Sequence, residues 1–213
     1  MRMARGKPIN VEVSVTAEVG AGLPDMAAAA AALEVSTQYS SPALLNHSVR
    51  SYLWGRAYAA ANGIDFDAEL LGVAALLHDI GLTEVFDSHT LAFEDAGGQL
   101  SWVFGAAAGW PVARRDRVAE IIVLHMRDMV SASEDPESHL LQVATSFDVS
   151  GRYAEHFPQE LRSGVLARYP RLGFGVAFLD LCTQQANRKP GSAAAELIRV
   201  GLAARIAANP LDR

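Results

Sequence analysis

Apolar positions follow two different rhythms along this chain. Residues 9–19, INVEVSVTAEV, alternate apolar and polar and are rich in Val, which is the period-two pattern of a β-strand. No second strand is predicted to pair with it. Residues 1–22 are therefore read as a short N-terminal extended arm, free or paired with another subunit. Gly20 and Gly22 break the alternation, and Pro24 can open a helix through the alanine-rich stretch behind it.

From there apolar residues recur every three to four positions, the rhythm of amphipathic helices. Ser41-Pro42 reads as an N-cap with Pro at the first helical position, and Asn62-Gly63 as the end of that helix. Further helices are predicted over residues 67–80, stopping at Gly81, and over 94–104, 112–128 and 137–149, the last closed by Gly151. Shorter ones follow over 158–168, 173–186 and 192–208. The expected fold is all-α, a helical bundle over residues 23–208 behind the 1–22 arm.

Composition narrows the picture. A chain of 213 residues, half of them hydrophobic, can bury one sizeable core. Its net charge of −6 argues against a nucleic-acid surface, which needs clustered Lys and Arg. The densest basic run, Arg114, Arg115 and Arg117, reads as the solvated first turn of a helix. Cys182 is the only cysteine, so no internal disulfide framework forms. The basic N-terminus has no apolar run behind it, and no stretch approaches the roughly 20 residues of a membrane span. The expectation is a cytoplasmic protein with a small-molecule substrate, no nucleic-acid or membrane partner, and scope for a homo-oligomer.

Candidate chemistry sits on the apolar stripes. Leu44, His47, Ser51 and Trp54 share one helix face. Residues 73–77 are apolar all round and run straight into His78-Asp79. Val118, Ile121 or Ile122, and His125 line another face, and Leu141, Thr145 and Asp148 a fourth. Any one of these polar residues alone is an ordinary core residue with a backbone partner. Two aspartates on buried faces are expensive unless paired or bound to a cation. Convergence around one divalent ion satisfies the whole set, and mixed imidazole and carboxylate donors suit zinc or iron.

The order His47, His78-Asp79, Asp148 resembles the HD superfamily of metal-dependent hydrolases. The stretches Asn46 to Arg50, Leu76 to Gly81, Phe93-Glu94 with Gly97-Gly98, and Ile121 to His125 are similar to its cyanamide hydratase branch. Leu141 to Asp148, Tyr169 to Leu172 and Asn187 to Pro190 add to the likeness, which spans roughly residues 23–195. The resemblance implies an HD-domain helical fold holding one divalent metal, usually zinc, that hydrates cyanamide to urea. It implies metal ligands at His47, His78, Asp79 and Asp148. It also implies catalytic roles for His125, Thr145 and Asp79, and groups near the substrate at Asn46, Arg50, Trp54, Phe93 and Glu94. Phe86 and Phe147 are further candidates for the pocket wall. The sequence departs from the branch at Met126-Arg127-Asp128, at Leu82-Thr83 and at Val149 to Gly151.

Three functions compete at this point. The first is a hydratase for a small nitrile-like substrate. The second is an HD-type phosphohydrolase acting on a nucleotide or small phosphate ester, with Arg50 as a phosphate clamp. The third is a metal-binding sensor. Leu82, where many HD phosphodiesterases carry Lys, disfavours the second, and His125 with Thr145 disfavours the third.

Overall fold

The computed structural model describes residues 22–212. The strand-like arm falls almost wholly outside these residues, and among them no strand occurs. The described chain is a helical bundle, as the apolar rhythm predicts.

Helix α1 (Ala27–Tyr39) begins three residues beyond Pro24, with no side chain capping it. Helix α2 (Pro42–Asn62) opens as predicted, with Ser41 Oγ accepting from Leu44 N–H at 3.3 Å. It closes on Gly63 in the left-handed region, φ 64°. Helix α3 (Ala68–Leu77) is the centre of the bundle. Its residues Leu70 to Leu77 are all buried, and it packs against α1, α2, α5 and α6. Each leucine so buried stabilises the fold by roughly 1.5–3 kcal/mol.

The predicted helix over 67–80 stops earlier, at Leu77, and a 3₁₀ turn, Ile80–Leu82, follows. The chain swings round here because α4 (Phe93–Ala107) crosses tightly. A Cβ on Gly81 would lie 2.2 Å from the Phe93 carbonyl, so only glycine fits. Helix α5 (Val112–Leu124) ends at His125 rather than continuing to Asp128, and α6 (Pro136–Ser150) closes on Gly151 as expected. Helices α7 (Gln159–Arg168) and α8 (Phe174–Arg188) follow. The last predicted helix is two, α9 (Ala193–Arg199) and α10 (Leu202–Ala207), parted at Gly201 with φ 86°.

The arginine run on α5 corrects a second expectation. Arg114 pairs with Asp67 and Glu69, and Arg117 with Asp135, Glu137 and Glu120. The pairs with Asp67, Glu69, Asp135 and Glu137 tie α5 to the first turns of α3 and α6, so two of the three arginines are interhelical ties rather than a solvated face. No helix among the described residues is long and apolar enough to cross a membrane.

Candidate metal centre

Three buried side chains meet where α2 passes the end of α3. His47 projects from the middle of α2. His78 follows the last residue of α3 with helical backbone angles, and Asp79 leaves the helix at φ −101°, ψ 6°. The helix therefore ends so that two consecutive residues face one point. His47 Nε2 lies 3.1 Å from His78 Nε2, and Asp79 Oδ2 lies 3.4 Å and 3.2 Å from them.

The hydrogen bonds behind this triangle decide what it can hold. His78 Nδ1–H donates to the Ala75 carbonyl at 2.8 Å, and His47 Nδ1–H donates to Asp148 Oδ2 at 2.7 Å. In the neutral tautomers so fixed, both Nε2 atoms present lone pairs to each other and to a carboxylate. Neither oxygen of buried Asp79 accepts a hydrogen bond of good geometry. Three electron-rich atoms without a donor among them repel unless a cation lies between, so these residues fit a divalent metal with mixed N/O ligation.

Burial alone would push the His47 pKa down, but the carboxylates of Asp148 and Asp79 outweigh it and hold it above the ordinary value, the same attraction for positive charge that favours a cation in the triangle. Desolvation opposes the ionised form of Asp79, but positive charge drawn into the triangle beside His78 and His47 favours it and holds its carboxyl far below the usual range.

Asp148 stands in a different place from the one predicted. It is fully buried behind His47, on the ring nitrogen opposite the triangle, and both its oxygens are already engaged. Oδ1 accepts from Arg50 Nε at 2.8 Å and Trp54 Nε1 at 2.9 Å, while Oδ2 accepts from Arg50 Nη2 and His47 Nδ1, each at 2.7 Å. The structure thus brings His47, His78 and Asp79 together and leaves Asp148, expected as a fourth ligand, in contact with the other ring nitrogen of His47. Helix geometry explains the shift, since Thr145 and Asp148 are three residues apart and their directions differ by about 60°. Thr145 faces the cavity and Asp148 faces α2. The Asp148 carboxyl lies well below its ordinary pKa because the Arg50 guanidinium and His47 outweigh its desolvation.

A cavity of about 80 Å³ lies over the triangle. His47, His78 and Asp79 form its floor with His125 and Thr145 beside them. His125 Nδ1–H donates to the Ile122 carbonyl, which leaves Nε2 unprotonated, and its ring meets His78 edge-on at 4.9 Å. Burial, and then the adjacent His78, push its pKa down to about 3, so it is neutral at pH 7. Thr145 donates back to the Leu141 carbonyl at 2.9 Å, keeping its oxygen lone pairs available.

None of the five residues expected near the substrate lines this cavity. Arg50 and Trp54 hold Asp148, and Asn46 donates to the Pro170 carbonyl at 2.9 Å. Phe93 is fully buried beside His125, and Glu94 is buried with Oε2 unpartnered, its pKa raised by desolvation. Phe147 stacks on Phe157, and Phe86 packs against Tyr39. The walls are instead Met126, Val149, Phe178, Leu197 and Leu202. Phe178, Leu197 and Leu202 belong to α8, α9 and α10, whose fold over the site no local motif announces. Arg171 and Asn209 were also missed; both donate to the Asp148 carbonyl, at 2.8 and 2.9 Å. Phe174 stacks flat on His47 with ring centres 4.2 Å apart.

Comparison with known proteins agrees with this geometry. The HD domain family model matches residues 44–150, which include all three residues of the triangle, Asp148, His125 and Thr145. Cyanamide hydratase DDI2 and cyanamide hydratase DDI3 of Saccharomyces cerevisiae are each 31% identical to the chain over 152 residues. That alignment covers 69% of this chain and 67% of either relative. The chain belongs to the HD-domain family and, within it, to the cyanamide hydratase-like group.

Proposed function

We propose that the chain is a metal-dependent hydratase that adds water across the carbon–nitrogen triple bond of a small nitrile-like substrate, with cyanamide, giving urea, as its simplest case. The observation that carries this reading is the donor-free triangle of His47, His78 and Asp79 under a cavity with a neutral imidazole at its side. Likeness to two cyanamide hydratases supports the reaction class.

His47, His78 and Asp79 would hold the metal, with Asp148 orienting His47 from behind. A divalent cation there, zinc or iron by donor type, supplies Lewis acidity that lowers the pKa of a water from about 15.7 towards 7. Neutral His125 offers Nε2 to take a proton from water as the oxygen–carbon bond forms, and can return it to the nitrogen as one carbon–nitrogen π bond breaks. The adduct is an imidic acid, which becomes the amide when its O–H proton moves to nitrogen, so the sum is one nitrile plus one water giving one amide. Thr145 orients water or substrate through its oxygen. The apolar walls keep bulk water out, which strengthens each of these interactions. Asp79, held ionised, is assigned to the metal rather than to proton transfer.

Elemental analysis combined with urea and ammonia release from cyanamide tests the proposal. His78→Ala should lose both bound metal and turnover. Full turnover by the chelated wild-type protein would end the reading. Hydrolysis of a phosphate ester is the second reading, favoured by three arginines at the cavity mouth, and a panel of such esters separates it.

A further inference from the structure

The cavity changes character from floor to mouth. Above the apolar walls the lining becomes Ser146, Ser150 and four exposed charged residues: Arg127, Asp128, Arg152 and Arg205. Three arginines against one aspartate leave this rim with a formal charge of +2, on a chain whose net charge is −6. The arginines come from three separate places, the turn after α5, the turn after α6, and α10. Only the fold brings them together.

Arg50, Arg114, Arg117, Arg171, Arg188 and Arg199 each pair with a carboxylate. Among the described residues no ion pair reaches Arg127, Arg152 or Arg205. Arg56 and Arg115 likewise donate to backbone carbonyls rather than to carboxylates, so what sets Arg127, Arg152 and Arg205 apart is that they share the mouth of one cavity. Arg152 lies over the Tyr153 ring at 4.8 Å, a cation–π contact that steadies its position. An unpaired guanidinium is a bidentate anion receptor, and three around one cavity reinforce one another. The single bound cation expected at the floor would add to the same field.

We propose that this rim is an anion-binding subsite, and that the preferred substrate carries a carboxylate or phosphate held by Arg127, Arg152 and Arg205 while its reacting end reaches the floor. This rests on the reading of the cavity as the substrate site, and it ranks a negatively charged nitrile above neutral cyanamide. Arg127 and Arg205 provide two of the guanidinium donors and Arg152 the third, and Asp128, the one carboxylate among these four, offsets only part of their positive charge.

Inorganic phosphate, titrated calorimetrically into the metal-loaded protein at low salt, is the first probe. The triple variant R127Q/R152Q/R205Q should bind it at least roughly tenfold more weakly, the sum of three modest charge pairs. Metal content and melting temperature serve as folding controls. R56Q, which removes one exposed charge elsewhere, should leave phosphate affinity as in the wild type. The second probe compares hydration of cyanoacetate with that of cyanoacetamide, its neutral isostere. Wild type should favour cyanoacetate, by a margin that shrinks with ionic strength and vanishes in the triple variant. Equal phosphate binding by wild type and triple variant overturns the proposal, as does a substrate ratio that the substitutions leave unchanged. Loss of phosphate binding without hydration of any nitrile would sink the hydratase reading and leave the rim subsite standing.

Discussion

Two arginine–carboxylate networks serve this molecule in opposite ways. Around Asp148, Arg50 and its partner carboxylate are both fully buried, and the pair is one link in a chain that ends at the His47 ring. Around α5, Arg114 is a quarter exposed and its partner Asp67 two-fifths exposed, and the pair ends at a helix terminus. The contacts are equally short. Their surroundings differ, and surroundings set what a charge pair is worth. In water the attraction is screened and ordering the side chains offsets much of it. Inside the bundle each charge depends wholly on its partners, because nothing else can solvate it.

Removing one partner separates the two networks most sharply. Asp148→Asn should destabilise the fold by about 3–5 kcal/mol, since Arg50 is left buried without a counter-charge. Its metal affinity should fall by roughly 10–100-fold because His47 loses its orienting partner. Urea unfolding and a chelator competition measure the two effects, and wild-type values in both would remove the distinction.

A smaller effect concerns protons. His125 has a folded pKa of about 3 against an ordinary 6.5, so the unfolded chain binds more protons between those values. Its contribution is therefore fully present above pH 6.5 and is lost as pH falls towards 3. In metal-free protein the loss should reach about 2 kcal/mol by pH 5. His125→Gln should flatten that part of the stability profile. A parallel decline in the variant would assign the acid sensitivity to other groups.

The least change is expected at the surface. Arg114→Gln should cost at most about 1 kcal/mol, and less in 1 M salt. A salt-insensitive loss as large as that of Asp148→Asn would mean the two networks are not different in kind.

Much of the fold is legible before any coordinates are known. Ser41-Pro42, Gly63 and Gly151 mark helix ends because capping and left-handed backbone are local requirements that specific residues meet. His78-Asp79 at the end of an all-apolar helix places two ligand types together for the same local reason. The helix at 67–80 was harder, because its break depends on the close crossing of α4 over Gly81, a contact between distant segments.

Asp148 shows where sequence reading stops. Its helix face is readable, but whether its carboxylate enters the triangle or sits behind His47 turns on about 60° of helix rotation and on Arg50 and Trp54 across the interface. Pattern and resemblance pick out Thr145, His125, His47, His78 and Asp79, which the structure brings to one cavity. The pocket wall was misplaced, since Phe93, Trp54 and Phe147 are core, and the true wall arrives from α8 to α10. Periodicity and composition determine which residues are buried and which helices form, because those follow from each segment's own exposure and backbone preferences. Tertiary structure alone decided which buried polar atoms face one another and which arginines share a rim, because donors and charges act over a few ångströms that separate residues a hundred positions apart can span.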